Sequence, residues 1–136
     1  MTKEELNSVR ELKKKICELE WHLKTLRMTA KNIVPILDGL PHSTGLKSRV
    51  EKIALNIIAD EQQLTNYQTR FIEAALNLSD KIGKALLNAQ EKAILNLRYV
   101  SCLNFQDIWL GLNISDAKVF YVHRIAVKKI LKAKVD

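Results

Sequence analysis

The sequence predicts an all-α protein: a long antiparallel helical hairpin, coiled-coil-like, followed by a C-terminal three-helix module of helix-turn-helix type. Three observations predict it. Apolar residues recur at alternating spacings of three and four through both halves of the first 78 residues. Only 4 Gly and 2 Pro occur in 136 residues, while 47% are hydrophobic, a composition that suits packed helices. Capping residues then punctuate residues 88–115 ahead of three short amphipathic segments. The organisation expected is 1–78 as the hairpin, for dimerisation or partner binding, and 79–136 as the helix-turn-helix module.

The first helix opens at Thr2, a capping residue with Glu4 and Glu5 in the first turn to suit the helix dipole. Val9, Leu12, Ile16, Leu19, Leu23, Leu26, Ala30 and Ile33 form its seam, with Trp21 beside it. Pro35 lacks the amide hydrogen that a helix needs, so the helix is expected to end or kink near Asn32–Val34. Asp38, Gly39 and the run from Pro41 to Gly45 read as the connecting loop. That loop holds Gly, Ser and Thr without the spacing of a phosphate loop, so it is read as a turn. The second helix starts near Gly45 or Leu46. Its stripe is Leu46, Val50, Ile53, Ile57, Leu64, Tyr67, Phe71, Ala74 or Ala75, and Leu78, interrupted by Asp60. A two-helix hairpin buries one stripe per helix. Ile33, Leu37, Ile58 and Ala75 are left over and call for a further surface. At Asn77–Asp80 the pattern breaks: either Ser79 caps a new short helix or the second helix runs on.

Asn88, with Glu91 three residues on, has the form of a capping box, ahead of Ile94, Leu95 and Leu97. Residues 101–104 have loop composition, and Asn104 can cap the segment Phe105–Leu110. Asn113 stands where the turn needs a left-handed residue, which Asn tolerates. Ser115 caps a last helix running to about residue 134. At about 100° per residue, Val119, Val122, Ala126, Ile130 and Ala133 share the core side, and Phe120, Val127 and Leu131 flank them. The opposite side carries Lys118, Tyr121, Arg124, Lys128 and Lys132, with Ala117 and Ile125. Two helices joined by a short turn, the second one basic, form the helix-turn-helix pattern.

The formal net charge is +7. Residues 1–87 hold 14 Lys/Arg against 11 Asp/Glu (+3), and residues 88–136 hold 8 against 4 (+4), so the charge concentrates in the C-terminal part. That balance favours a polyanionic partner. No apolar run is long enough to span a membrane, and the first residues lack an apolar signal core, so a cytoplasmic protein is expected. Cys17 and Cys102 are read as separate thiols, and His22, His42 and His123 are scattered, so no metal site is expected. No Ser/His/Asp or Cys/His arrangement and no Gly-rich phosphate loop appears. Neither an enzyme nor a cofactor is expected.

Asn96-Leu-Arg-Tyr-Val100, Phe105-Gln-Asp-Ile108, Ile114-Ser115 and Val119-Phe-Tyr-Val-His-Arg-Ile-Ala126 resemble the region-4-type helix-turn-helix of sigma factors. The layout is most similar to small phage and prophage proteins regarded as late-operon transcriptional regulators. The resemblance covers roughly residues 82–133, and the hairpin only in pattern. It implies a DNA-binding regulator in the bacterial host cytoplasm, with the helix from about 115 to 134 in the major groove of double-stranded DNA. Lys118, Tyr121 and Arg124 would then face bases or nearby phosphates, Lys128 and Lys132 the backbone, and Arg98 and Gln106 the flanking phosphates. A homodimer through the hairpin is expected. The alternative is a protein-binding adaptor acting on RNA polymerase or a sigma factor with a degenerate helix-turn-helix. Trp109, Leu110, Asp116 and Phe120 motivate it, because they alter the face that would meet DNA.

Overall fold

The structure, a computed structural model, describes residues 1–38 and 44–132. Among these residues it is all-α, with helices α1 (Lys3–Asp38), α2 (Thr44–Lys84), α3 (Ala89–Leu95), α4 (Phe105–Leu112) and α5 (Asp116–Lys132). A π-helical turn, Asn96–Val100, follows α3 directly. None of the described helices is long and apolar enough to cross a membrane.

The expected end of the first helix near Asn32–Val34 is corrected, and of the two courses left open at Asn77–Asp80 the structure takes the continuous one. α1 does not end before Pro35 but continues to Asp38. α2 runs unbroken through Asn77–Asp80 to Lys84, so Ser79 starts no new helix. The connecting loop at 39–43 and Ala133 lie outside the described residues.

The chain forms two compact units: one comprises Met1–Lys13 and Arg70–Asp136, the other Lys14–Thr69.

In the unit Lys14–Thr69 the two helix segments run antiparallel. Lys15 Nζ lies 5.7 Å from the centre of the Tyr67 ring, Arg27 Nη2 is 2.6 Å from Glu61 Oε1, and His22 pairs with Asp60. Asp60, which interrupts the apolar stripe, therefore has a partner in the pairing itself. Ile16 and Leu23 of the seam are buried, and Leu19, Leu26, Ile53, Ile57, Leu64 and Tyr67 are half-buried. Trp21 lies outside this packing, 68% exposed, with Lys24 Nζ 5.2 Å from its ring.

The other unit carries two apolar clusters. Leu6 and Val9 of α1 pack with Leu78, Ile82 and Ala85, with Leu95 and Tyr99, and with Ala126 and Ile130 of α5. Ile94, Ile108 and Val119 form the second cluster, covered by Leu97, Leu103, Phe105, Trp109, Leu112, Ile114 and Val122. Helix α5 contributes to both, through Val119 in one and Ala126 and Ile130 in the other. Its core side is the one that its periodicity predicts.

Candidate nucleic-acid interface

Each helix of the C-terminal module is fixed at its start by a side chain. Asn88 Oδ1 accepts from the Glu91 amide at 2.8 Å, Asn104 Oδ1 from the Asp107 amide at 2.8 Å, and Ser115 Oγ from the Lys118 amide at 3.2 Å. Each bond satisfies one of the amides that a helix start leaves without a partner. The capping box at Asn88 is completed on one side only. The Glu91 side chain, 4% exposed, instead accepts from Lys129 Nζ at 2.9 Å and so ties α3 to α5. A carboxylate that deep needs a cation more than a second amide.

The turn between α4 and α5 rests on Asn113, whose φ of 57° and ψ of 45° are left-handed. Its amide and that of Ile114 both donate to the Trp109 carbonyl, the latter at 3.2 Å, closing the end of α4. Ser115 then starts α5. The chain therefore leaves one helix and enters the next through three residues of defined geometry.

A second left-handed residue, Cys102 (φ 58°), closes the π turn. The Ser101 amide donates to Asn96 O and the Leu103 amide to Leu97 O, each at 2.9 Å. Arg98 locks this loop from inside. Its Nη1 donates to Leu103 O at 3.0 Å, and its guanidinium carbon lies 4.2 Å from the centre of the Phe105 ring. The side chain expected to flank phosphate thus holds the entry to α4. Phe105 continues the stack onto Phe120 (centroids 4.8 Å apart) and His123 (5.0 Å), and Trp109 meets Phe120 edge-on at 5.9 Å. His123 Nε2 and the Tyr99 hydroxyl share a hydrogen bond of 2.8 Å. Burial, aided by the charges of Arg98 and Arg10, holds the His123 pKa below its ordinary value, so the ring is neutral near pH 7. Burial likewise pushes the Tyr99 phenol up, and Arg98 and Arg10 oppose that shift.

Five of the seven residues singled out from the sequence come together. Lys118, Tyr121, Arg124, Lys128 and Lys132 are all exposed on α5. Among the described residues none of the four cations is in an ion pair, and Arg124 lies 5.9 Å from the Tyr121 ring. The neighbouring Lys129, paired with Glu91, is the one cation of this stretch drawn into the fold. Gln106 is exposed in the first turn of α4. Beside the cationic face a cleft of about 250 Å³ opens between Asn88, Gln90 and Glu91 on one side and Lys118, Tyr121, Val122 and Ile125 on the other. Asp116 accepts from the adjacent Ala117 amide at 2.7 Å, so its carboxylate is engaged at the helix start. No group of three His, Cys, Asp or Glu among the described residues is placed to hold a metal ion.

The sequence did not show the aromatic stack or the inward role of Arg98. The four aromatic or imidazole positions (Phe105, Trp109, Phe120, His123) are visible in the sequence, but their stacking depends on how α4 packs against α5 across the turn at Asn113.

A family model describing a protein of unknown function, DUF1492, matches residues 39–131. The chain belongs to the DUF1492 family. The match takes in α2 and the whole cationic face except Lys132. No curated protein and no solved structure matches this chain.

Proposed function

We propose that this DUF1492 protein is a DNA-binding transcriptional regulator of the phage or prophage type, acting in the cytoplasm of a bacterial host. The observation that carries the reading is the outer face of α5: four exposed cations, in no ion pair among the described residues, and one exposed phenol, presented behind a three-residue turn. Unpaired cations on one face repel one another, and a run of phosphates relieves that repulsion while releasing counterions. In this reading α5 lies in the major groove with its N-terminal half toward the bases. Tyr121 and Arg124 stand where they reach base edges, and Lys118, Lys128 and Lys132 contact phosphates. Gln106 flanks the groove, and Arg98 acts through the turn it holds. One such module reads few base pairs, so a second copy, RNA polymerase or a sigma factor supplies the remaining specificity.

A second reading is a protein-binding adaptor for polymerase or a sigma factor. It is favoured by the exposure of Leu110 (66%) and Phe120 (47%) beside the turn. The double variant Arg124→Ala/Lys128→Ala separates the two. Both side chains are exposed and, among the described residues, in no ion pair, so the helix is expected to fold unchanged. The DNA-binding reading predicts at least a tenfold loss of affinity for duplex DNA by fluorescence anisotropy. Unaltered DNA affinity in the folded variant would remove α5 as the interface.

A further inference from the structure

The cleft between the start of α3 and helix α5 lies within one compact unit, and the function proposed above touches only its Lys118 and Tyr121 wall. The facing wall includes Glu91, whose side chain is 4% exposed. Glu91 Oε1 accepts from Lys129 Nζ at 2.9 Å, whereas Oε2 is buried and has no hydrogen-bond partner among the described residues. An ionised carboxylate oxygen accepts more than one hydrogen bond, so burial leaves a strong acceptor unsatisfied behind this wall. The last torsion of a glutamate is soft, and a turn about it brings Oε2 to a donor seated in the cleft.

Charge decides what kind of donor that is. Lys129 already neutralises Glu91. Lys118, exposed and in no ion pair among the described residues, leaves the cleft with an excess of positive charge. An ammonium or guanidinium is repelled there, so the donor that suits Oε2 is uncharged, and its carrier gains from an anionic group at Lys118. Gln90, next to Glu91 on the cleft wall, has a carboxamide that can donate as well as accept. Between the two walls, half-buried Val122 and Ile125 and the exposed Tyr121 ring offer apolar contact to a flat body.

We infer that this cleft binds a nucleotide whose base carries an exocyclic amino group. The amino group donates to Glu91 Oε2, and Gln90 meets the ring nitrogen beside it. The base rests on Val122 and Ile125 against Tyr121, and the phosphate pairs with Lys118. The cleft, about 250 Å³, is smaller than the roughly 300 Å³ at which clefts for drug-sized ligands begin, so it holds the base and leaves the phosphate at the rim. A free mononucleotide and an unpaired nucleotide of a strand share this chemistry. Lys118 and Tyr121 also belong to the face proposed for duplex DNA. Competition between nucleotide and duplex rests on that reading; the nucleotide binding itself does not.

The test titrates the full chain, without duplex DNA, with AMP, CMP and GMP, and follows backbone amide shifts by NMR. Saturable shifts are expected at Gln90, Glu91, Tyr121, Val122 and Ile125, with Kd at or below about 1 mM. IMP, which has a carbonyl oxygen where AMP has its amino group, is expected to bind roughly tenfold more weakly than AMP, because it sets an acceptor against a carboxylate. Wild type is expected to prefer AMP to adenosine, and Lys118→Ala to lose that preference. Glu91→Gln, shown by circular dichroism to be folded, is expected to lose the preference for AMP over IMP. A short single strand of deoxyadenosines forms the second arm: shifts at the same residues with the strand and none with AMP assign the nucleotide to a strand, and saturation by AMP assigns it to the free pool. The inference is overturned if neither the mononucleotides nor the strand shifts these residues, if IMP binds as tightly as AMP, or if Lys118→Ala keeps the full preference for AMP over adenosine. Failure here leaves the duplex-binding reading standing, and a protein that binds nucleotide but no duplex overturns only that reading.

Discussion

Replacing Asn113 tests how the turn that aims α5 is held. The residue sits at φ 57° and ψ 45°, close to the centre of the left-handed well, so its cost is that of the Cβ contact alone, without added distortion. Asn tolerates this conformation better than other non-glycine residues; Ala meets the full Cβ penalty of about 1–2 kcal/mol. The two amides at Trp109 O leave no slack for the turn to adopt another conformation. Asn113→Ala is therefore expected to lose about 1 kcal/mol, or roughly 3–6 °C in melting midpoint. Asn113→Gly is expected to match or exceed wild type, because glycine meets no Cβ penalty there, partly offset by its greater freedom when unfolded. Asn113→Val is expected to be worse than Ala, since a β-branched side chain is least at ease with positive φ. Urea and thermal unfolding followed by circular dichroism are expected to give the order Gly ≥ Asn > Ala > Val. If Ala equals wild type, or Gly falls below Ala, the left-handed turn is not what fixes α4 against α5.

Two other perturbations have defined outcomes. His123 has a folded pKa below its unfolded value, so the stability it contributes is present above about pH 6.5 and is lost as the pH falls below that. Stability measured from pH 7.5 to 5 is expected to decline, and His123→Gln is expected to flatten that decline; an identical slope in the variant would assign the pH dependence elsewhere. Lys129→Ala leaves the buried Glu91 carboxylate without its cation and is expected to cost about 1–3 kcal/mol, while Glu91→Gln in the same chain recovers part of the loss. Additive effects of the two substitutions in a double-mutant cycle would mean that the pair is not coupled.

Much of the C-terminal module is legible in the sequence because its signals are local. The caps at Asn88, Asn104 and Ser115 bond the amides that their positions predict, and Asn113 takes the left-handed conformation. The buried side of α5 follows from a 3.6-residue period at Val119, Ala126 and Ile130. Thr2 caps α1 as expected, its Oγ1 accepting from the Glu5 amide at 3.1 Å. What was not legible depends on contacts distant in sequence. Nothing in the spacing of Leu6 and Val9 tells that their cluster takes in Tyr99 and Ile130 as well as Leu78 and Ile82 of α2. The π turn at 96–100 depends on Arg98 reaching Leu103 O, a side-chain bond that no periodicity contains. Cys102 has no preference for positive φ, so no residue type marks that turn as Asn113 marks the other. The run of α2 through Asn77–Asp80 shows the converse case. Leu78 and Ile82 are buried in one cluster, and that burial overrides the weak helix propensity of Asn, Ser and Asp.

The central proposal is that α5 binds DNA through its exposed cations, and a salt titration of duplex binding by the wild-type protein tests it most directly. With four cations neutralising four phosphates, log K is expected to fall against log salt with a slope of about −3.6. Binding whose affinity does not change between low and moderate salt, or a folded protein that binds no duplex even at low salt, would contradict the account.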